Sequence, residues 1–311
     1  MKESKIIANP TAGGGAGARA IPQIERLLNK YNLDFDIVCT KRRWHAAELA
    51  KEAVMAEYDV IVAVGGDGTS NEVINGLMEA KRAGKHSFAM GVLSVGRGND
   101  FAHSVGVPHD LEHACQVLAE DHRRMIDVGR VIGGMYPQGR YFGNCVGVGF
   151  DAIGTIEAAK LPRLGGFLSY FVAVLKTVFL YYKAPLTTVE YDGQTLTQPS
   201  LMISIMNGRR LGGGFMMAPD AEPDDGLFDL CIAHEVSRAR IFSLIPHFLR
   251  GTQATQEPIT TGQAAQISIT AVDGTLPAQT DGEILCIDGQ HLEIELLPRQ
   301  IEVICQSPGG V

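Results

Sequence analysis

The segment VIVAVGGDGTSNEVINGL, residues 60–77, constrains the fold more than any other stretch of the chain. Its apolar run VIVAV has the length and texture of a strand buried on both faces, and NEVINGL places Val73, Ile74 and Leu77 at helical spacing. The glycine turn between them offers backbone N–H groups at a helix N-terminus, which suit an anionic ligand, and its glycines let backbone approach phosphate closely. Asp67 at the centre of that turn is a puzzle, since a bare carboxylate repels an anion. The dinucleotide fingerprint G-x-G-x-x-G is not met, because Gly66-Asp67-Gly68-Thr69-Ser70 leads to Asn71, and no G-x-x-x-x-G-K-[ST] occurs. On the glycine pattern alone, an ordinary strand–helix turn is an equally good reading.

A second glycine turn, NPTAGGGAG (residues 9–17), also follows a strand and precedes a helix. Two such turns on neighbouring strand ends of one parallel sheet face the same crevice, so together they favour a nucleotide-sized anion site. The strands KIIANP, FDIVCT, DVIVAV and FAMGVLSV alternate with the helices AIPQIERLLNKY, HAAELAKEAVMAE and NEVINGLMEAKRAG, the pattern of an α/β domain. Beyond RMIDVGRV the texture changes to β-rich runs punctuated by Asp-Gly, such as TTVEYDGQTLTQPSLMISIMNG and GLFDLCIAHEV, as in a sandwich or barrel. Two helices interrupt them, residues 164–182 and SRARIFSLIPHFLRG. The sequence therefore predicts an α/β domain over residues 1–130, completed by the C-terminal segment 297–311, and an all-β sandwich-type domain over residues 131–296.

Composition narrows the functions. A formal net charge of −8 argues against a nucleic-acid binder and against docking on anionic lipid by bulk charge, while leaving local patches open. The six cysteines, Cys39, Cys115, Cys145, Cys231, Cys286 and Cys305, form no C-x-x-C pair, which predicts reduced thiols in a cytoplasmic protein; the N-terminus has no apolar signal core. Residues 164–182 approach the length of a bilayer span, but Lys176 lies inside them and Gly165-Gly166 weaken their start. Phe167, Tyr170, Phe171, Val174, Val178 and Tyr181 recur at helical spacing, so a core-packed or surface-seeking helix is the better reading. HDLEH (residues 109–113) matches a zinc-protease pattern, yet it follows Pro108 at a helix start where Asp110 and Glu112 suit the dipole.

The ordered set of Asn9-Pro10 with its glycines, VGGDGTSNEVINGL, GVLSVGRGNDFA (residues 91–102), NGRRLGGGFMMAPDAEPDDGLFDL (residues 207–230) and TDGEILC (residues 280–286) resembles the diacylglycerol kinase catalytic-domain family. Within it the chain is similar to the soluble bacterial lipid kinases, relatives of sphingosine and ceramide kinases. GGDGT alone is shared with NAD kinases; the ordered set is far more specific. The resemblance implies an α/β N-terminal domain of the NAD-kinase and diacylglycerol-kinase kind, using ATP and Mg²⁺. It implies that Asn9, Thr11, Gly13, Thr40 and the run Gly66, Asp67, Gly68, Thr69, Ser70, Asn71, Glu72 line the ATP site. It further implies that Asp67, Asp100 and Asp127 form a carboxylate network holding water and Mg²⁺. Asp225, with the carbonyls of Glu222 and Leu227, would hold a structural Mg²⁺, and Asp281 and Glu283 would sit at the acceptor hydroxyl, one of them as general base.

The chemistry agrees with those roles. Mg²⁺ prefers carboxylate and water oxygens and bridges terminal phosphates, and an attacking hydroxyl needs a proton acceptor within hydrogen-bond reach. Read without the resemblance, Asp281-Gly282 is a plain hairpin-turn pair, one of five Asp-Gly pairs in the β-rich part of the chain, and APDAEPDDG reads equally as a solvated acidic loop. The chain departs from the family at three positions: Arg97 stands where threonine is usual, Ser94 where proline is common and Trp44 where glycine is often found. Arg97 is a candidate bidentate partner for phosphate. The expectation is an ATP-dependent kinase acting on a lipid hydroxyl, with peripheral membrane contact, no nucleic-acid partner and the option of a homodimer through exposed β-edges. The alternatives are a soluble kinase of the NAD-kinase type and a non-catalytic nucleotide-binding regulator.

Overall fold

The computed structural model describes residues 3–160, 166–180 and 183–307. The chain divides into two compact units, Met1–Asp127 with Arg299–Val311, and Val128–Pro298. The expected partition differs from this by two or three residues at each junction, because one strand, Arg123–Gly133, runs through the first junction and another, His291–Ile304, through the second.

The first unit is built from β1 (Ser4–Ala8), α1 (Ala12–Lys30), β2 (Phe35–Cys39), α2 (His45–Met55), β3 (Val60–Gly65), α3 (Asp67–Arg82), β4 (Ala89–Ser94), a short α4 (Asp100–Ser104) and α5 (Leu111–Glu120). Its strands are parallel in the order β2-β1-β3-β4, and the end of the chain adds Glu302 and Val303 beside Ala89 and Met90 of β4. β3 and β4 are buried along their whole length, as strands covered by helices on both faces must be. Helix α3 packs on α2 through Gly76, where a Cβ would come within 2.2 Å of the Ala47 carbonyl oxygen. The start of α5 is fixed by Asp110, whose Oδ1 accepts from the N–H of His113 at 3.0 Å, so HDLEH is a helix cap.

The second unit continues with β5 (Arg123–Gly133), β6 (Tyr136–Phe142), β7 (Cys145–Gly149), α6 (Phe150–Lys160), α7 (Gly166–Leu180), β8 (Leu186–Tyr191), β9 (Gln194–Met206), β10 (Phe228–His234), α8 (Arg238–Arg250), β11 (Ile259–Ala264), β12 (Gln266–Ala271), β13 (Leu276–Thr280), β14 (Glu283–Gly289) and β15 (His291–Ile304). Two sheets share β9. Its first half pairs with β8, which leads on through β12 to β15, whereas its second half pairs with β7 and β10. Val189, Ile267, Ile269 and Leu292 of the first sheet pack against Val146, Ile203, Ile205 and Leu230 of the second, and Phe142 stacks on Phe228 with ring centroids 5.5 Å apart.

The expected β-sandwich is present, and α6, α7 and α8 add a helical layer to it. Phe150, Val174, Val178, Ile241 and Ile245 from these helices bury the far face of the second sheet against Leu201, Met202 and Met206. That face explains why LMISIM is apolar without alternation, being covered on both sides. α7 is a core-packed helix with Ala173, Val174, Thr177 and Val178 buried and Phe171 half-buried. The side chains of Phe167, Tyr170 and Tyr181 lie outside the described residues. No helix among the described residues is long and apolar enough to cross a membrane.

Candidate active site

In the first unit the chain moves from β1 outward to β2 and then returns past β1 to β3, so the order of strands reverses between β1 and β3. Ligands of open α/β sheets bind at such a switch, beyond the carboxyl ends of the strands. Asn9 follows β1 and Thr69 lies in the first turn of α3, and the Asn9 Nδ2 donates to Thr69 Oγ1 at 3.0 Å across that switch. The Asn9 Oδ1 accepts from the backbone N–H of Thr11 at 3.1 Å and from its hydroxyl at 2.8 Å. One asparagine thus ties the two glycine turns together, which explains why asparagine rather than another polar residue stands after β1.

The turns themselves are tight. Gly13, Gly14 and Gly15 have φ of 55°, 72° and 89°, a left-handed run that only glycine adopts at low cost, and a Cβ on Gly13 would sit 2.3 Å from the Val95 carbonyl oxygen beyond β4. Gly66 is extended and caps α3, while the backbone of Gly96 crosses it so closely that a Cβ on Gly96 would lie 2.4 Å from the Gly66 Cα. Gly66, Asp67 and Gly68 remain half-buried at the mouth of the crevice, with the α3 N-terminus behind them. Thr40, at the end of β2, donates its N–H to the Ala8 carbonyl at 2.8 Å.

The acidic residues resolve differently from one another. The Asp67 Oδ1 accepts from the Phe101 N–H at 3.0 Å, and its Oδ2 lies 2.9 Å from where a Gly98 Cβ would stand. The buried Asp100 brings its Oδ2 to 3.0 Å from the same point. Gly98 is therefore the floor of a cradle with a carboxylate on either side. Asp127 is fully buried and its Oδ1 accepts the Arg299 N–H at 2.7 Å. Among the described residues no three His, Cys, Asp or Glu side chains gather closely enough to hold a metal. The expected three-carboxylate metal site is thus reduced to the Asp67–Asp100 pair. Such a pair fits Mg²⁺, which habitually completes its shell with phosphate oxygens and water.

Further along the GGDGT run the expected ligand contacts give way to structural ones. Thr69 and Ser70 are buried, and Asn71 has no exposed surface; the Asn75 Nδ2 donates to its carbonyl oxygen at 2.8 Å. The Glu72 Oε2 accepts from the Ala46 N–H at 3.0 Å and so holds the first turn of α2. Arg97 is exposed in the loop after β4. Trp44 has φ of 65°, a left-handed conformation that accounts for glycine at this place in the family's pattern.

In the second unit, Thr280 and Glu283 pair across the β13–β14 hairpin, leaving Asp281 and Gly282 as a two-residue loop with φ of 46° and 85°. This is the geometry of a type I′ turn. The Asp281 side chain is buried: its Oδ2 accepts from the Gly143 N–H at 2.9 Å, and its Oδ1 accepts from Asn144 at 3.0 Å and Cys145 at 2.9 Å. Three backbone donors thus occupy both oxygens of the Asp281 carboxylate. Glu283 is half-buried at the start of β14. Of the two candidates for the base, Asp281 has the environment of an anchor, whereas Glu283 is half-buried on the strand that follows.

Residues not singled out from the sequence complete this anchor. Asn207 donates through Nδ2 to the Gly143 carbonyl at 2.9 Å and through its backbone to Asn144 at 2.8 Å, and the Gln279 Oε1 accepts from the Gly282 N–H at 2.9 Å. The paired signals were Gly143-Asn144 and Asn207-Gly208, turn residues inside β-rich runs. In the acidic loop, the Asp225 Oδ1 accepts from the Leu227 N–H at 3.0 Å, and the Glu222 carboxylate is ion-paired with Arg209, which leaves its carbonyl as the candidate ligand. Nearby, burial pushes the Asp229 carboxyl up to about 6, with the charges of Asp225 and Asp220 adding to the effect and a bond from Gln263 opposing it. The Asp229 Oδ2 is buried with no hydrogen-bond partner among the described residues. Under α7 and α8 lies an apolar cavity of about 70 Å³ lined by Phe150, Val174, Met202, Phe215, Ile241 and Phe248.

Comparison with known proteins agrees along the whole chain. The model of the diacylglycerol kinase catalytic domain matches residues 3–131, and that of the YegS C-terminal NAD kinase beta sandwich-like domain matches residues 144–305. A diacylglycerol kinase of Bacillus subtilis (strain 168) is 31% identical over 286 residues, covering 91% of this chain and 90% of its own. A diacylglycerol kinase of Staphylococcus aureus (strain JH9) is 29% identical over 283 residues, covering 91% and 86%. A solved structure from Bacillus anthracis strain Sterne, described as a diacylglycerol kinase, superposes with a TM-score of 0.72 at 23% identity, covering 98% of this chain and 97% of its own.

Proposed function

Because the chain belongs to the diacylglycerol kinase family, we propose that it transfers the γ-phosphoryl group of ATP to the hydroxyl of a lipid, a diacylglycerol-like or sphingoid acceptor. The observation that carries this reading is the crevice at the β1/β3 switch, where the Asn9–Thr69 bond joins two glycine turns beside the Asp67–Asp100 pair. The N–H groups of Gly66 to Gly68 and the N-terminus of α3 meet the phosphates, and Asn9, Thr11, Gly13 and Thr40 shape the nucleotide pocket. Arg97, exposed beside them, is a second cationic contact for phosphate.

Asp67 and Asp100 are the residues that would hold Mg²⁺ there. When bound, that ion would offset the negative charge that develops on transfer. Asp127 fixes the Arg299 backbone at the edge of the unit. Glu283 takes the proton of the acceptor hydroxyl as its oxygen bonds to the γ-phosphorus and the bond to ADP breaks. Asp281 keeps the hairpin that carries Glu283 in place. The cavity under α7 and α8 is the candidate for an acyl or alkyl chain, which enters only if those helices part, since about 70 Å³ is less than a whole chain requires.

Release of ADP tests this reading. It is expected to rise when diacylglycerol in detergent micelles is added with ATP and Mg²⁺ and to stay at its basal rate when NAD is added instead; the reverse pattern contradicts the lipid assignment. A second Mg²⁺, held by Asp225 and the carbonyls of Glu222 and Leu227, is expected to raise the melting temperature in the absence of nucleotide. Asp225→Ala is expected to remove that rise, measured by calorimetry with and without Mg²⁺.

A further inference from the structure

The outer faces of α7 and α8 carry features with no part in holding the unit together. Eight large hydrophobic side chains are exposed among the described residues, and four of them, Leu168, Phe179, Phe242 and Leu249, belong to these two helices. Leu168 and Phe179 are three turns apart on α7, and Phe242 and Leu249 are two turns apart on α8, so each pair shares one face of its helix. The rings of Phe179 and Phe242 meet with centroids 5.8 Å apart, and the Arg238 Nε donates to the Val178 carbonyl at 3.1 Å, so the two faces adjoin. Val174 and Val178 on α7, and Ile241, Leu244 and Ile245 on α8, are buried on the opposite sides. The exposed residues are therefore surplus to the core.

The charge of this surface runs opposite to that of the chain. The protein carries a net −8, yet α8 contains Arg238, Arg240, His247 and Arg250 with no Asp or Glu, and α7 contains Lys176 with none. Arg240 spends its guanidinium on neutral partners, Ser243 and Gln256, at 3.2 Å each. Lys176 is paired with Glu157 of α6 at 2.5 Å, so the positive charge resides chiefly on α8. Aromatic and aliphatic side chains bordered by arginine are what an amphipathic helix presents when it lies in the headgroup region of an anionic bilayer.

We propose that the joined outer face of α7 and α8 docks on the surface of an anionic phospholipid bilayer. Phe179, Phe242 and Leu249 enter the interface, and Arg238 and Arg250 meet the headgroups. No helix among the described residues is long and apolar enough to cross a membrane, and the attachment proposed is peripheral. The inference deepens the lipid-kinase reading, and rests on it for the purpose of docking, but the docking itself is measured without ATP.

The test is flotation of the full chain with vesicles of phosphatidylcholine containing phosphatidylglycerol, against vesicles of phosphatidylcholine alone. The protein is expected to float with the anionic vesicles and to be released by salt. Phe242→Ser with Leu249→Ser is expected to lower binding at least tenfold, and Arg250→Glu to lower it further, with each variant still folding cooperatively in a thermal melt. Transfer to an acceptor solubilised in detergent is expected to persist in these variants. Failure of the wild-type chain to bind anionic vesicles, or binding indifferent to the substitutions, overturns the proposal. So does a dimer in sedimentation that Phe242→Ser dissociates, since the face then belongs to a second copy. Vesicle binding without any lipid phosphorylation leaves the docking surface standing and refutes the kinase reading alone.

Discussion

Glu283→Gln is expected to lower turnover by about 10²–10⁴-fold with the chain still folded, because it removes a proton acceptor while keeping the size of the side chain. The substitution keeps shape and hydrogen-bonding capacity at a half-buried position on the first residue of β14. Nucleotide affinity, which resides in the first unit, is expected to stay at the wild-type value in calorimetric titration. Turnover equal to wild type removes Glu283 from the base role.

Asp281→Ala is expected to act through stability. It leaves the N–H groups of Gly143, Asn144 and Cys145 without their acceptor inside the second unit. A buried donor left unsatisfied costs about 1–3 kcal/mol, so the loss is at least ~3 kcal/mol, a large share of the ~5–15 kcal/mol that holds a typical domain folded. Alanine also adopts a φ of 46° less readily than aspartate, whose short polar side chain eases the left-handed region, and this adds to the loss. Asp281→Asn tolerates that φ and retains one oxygen, so its loss is expected to be smaller. Urea unfolding of the three proteins checks the order, wild type above Asn above Ala; equal midpoints remove Asp281 from the anchoring role.

The hairpin at Asp281 also marks where the sequence is legible and where it is not. Asp-Gly between two strands reads as a type I′ turn, and the backbone of Asp281 and Gly282 adopts it. Nothing local shows that the same aspartate reaches the backbone of residues 143–145, more than a hundred positions away, because such a bond depends on how β7 and β13 pair. The α/β unit is legible because each strand announces itself by an apolar run and each helix by its period. Its GGDGT turn is legible as an anion site, but only its first half lies at the mouth of the crevice. Helical rotation turns Asn71 into the interior and carries Glu72 to the N-terminus of α2. The helical layer of the second unit is half legible: residues 164–182 and the arginine-rich helix stand out, whereas α6 hides behind the glycine-rich strand CVGVG. The opening puzzle of Asp67 has a local answer, since its carboxylate faces the Phe101 N–H and the Gly98 cradle beside Asp100.

The central claim, transfer of phosphate to a lipid hydroxyl, is tested most directly by the identity of the product. One reaction holds the wild-type chain, labelled ATP, Mg²⁺, diacylglycerol and sphingosine in micelles, and NAD. Label is expected in a phosphorylated lipid and absent from the dinucleotide; label in NADP with none in lipid contradicts the account.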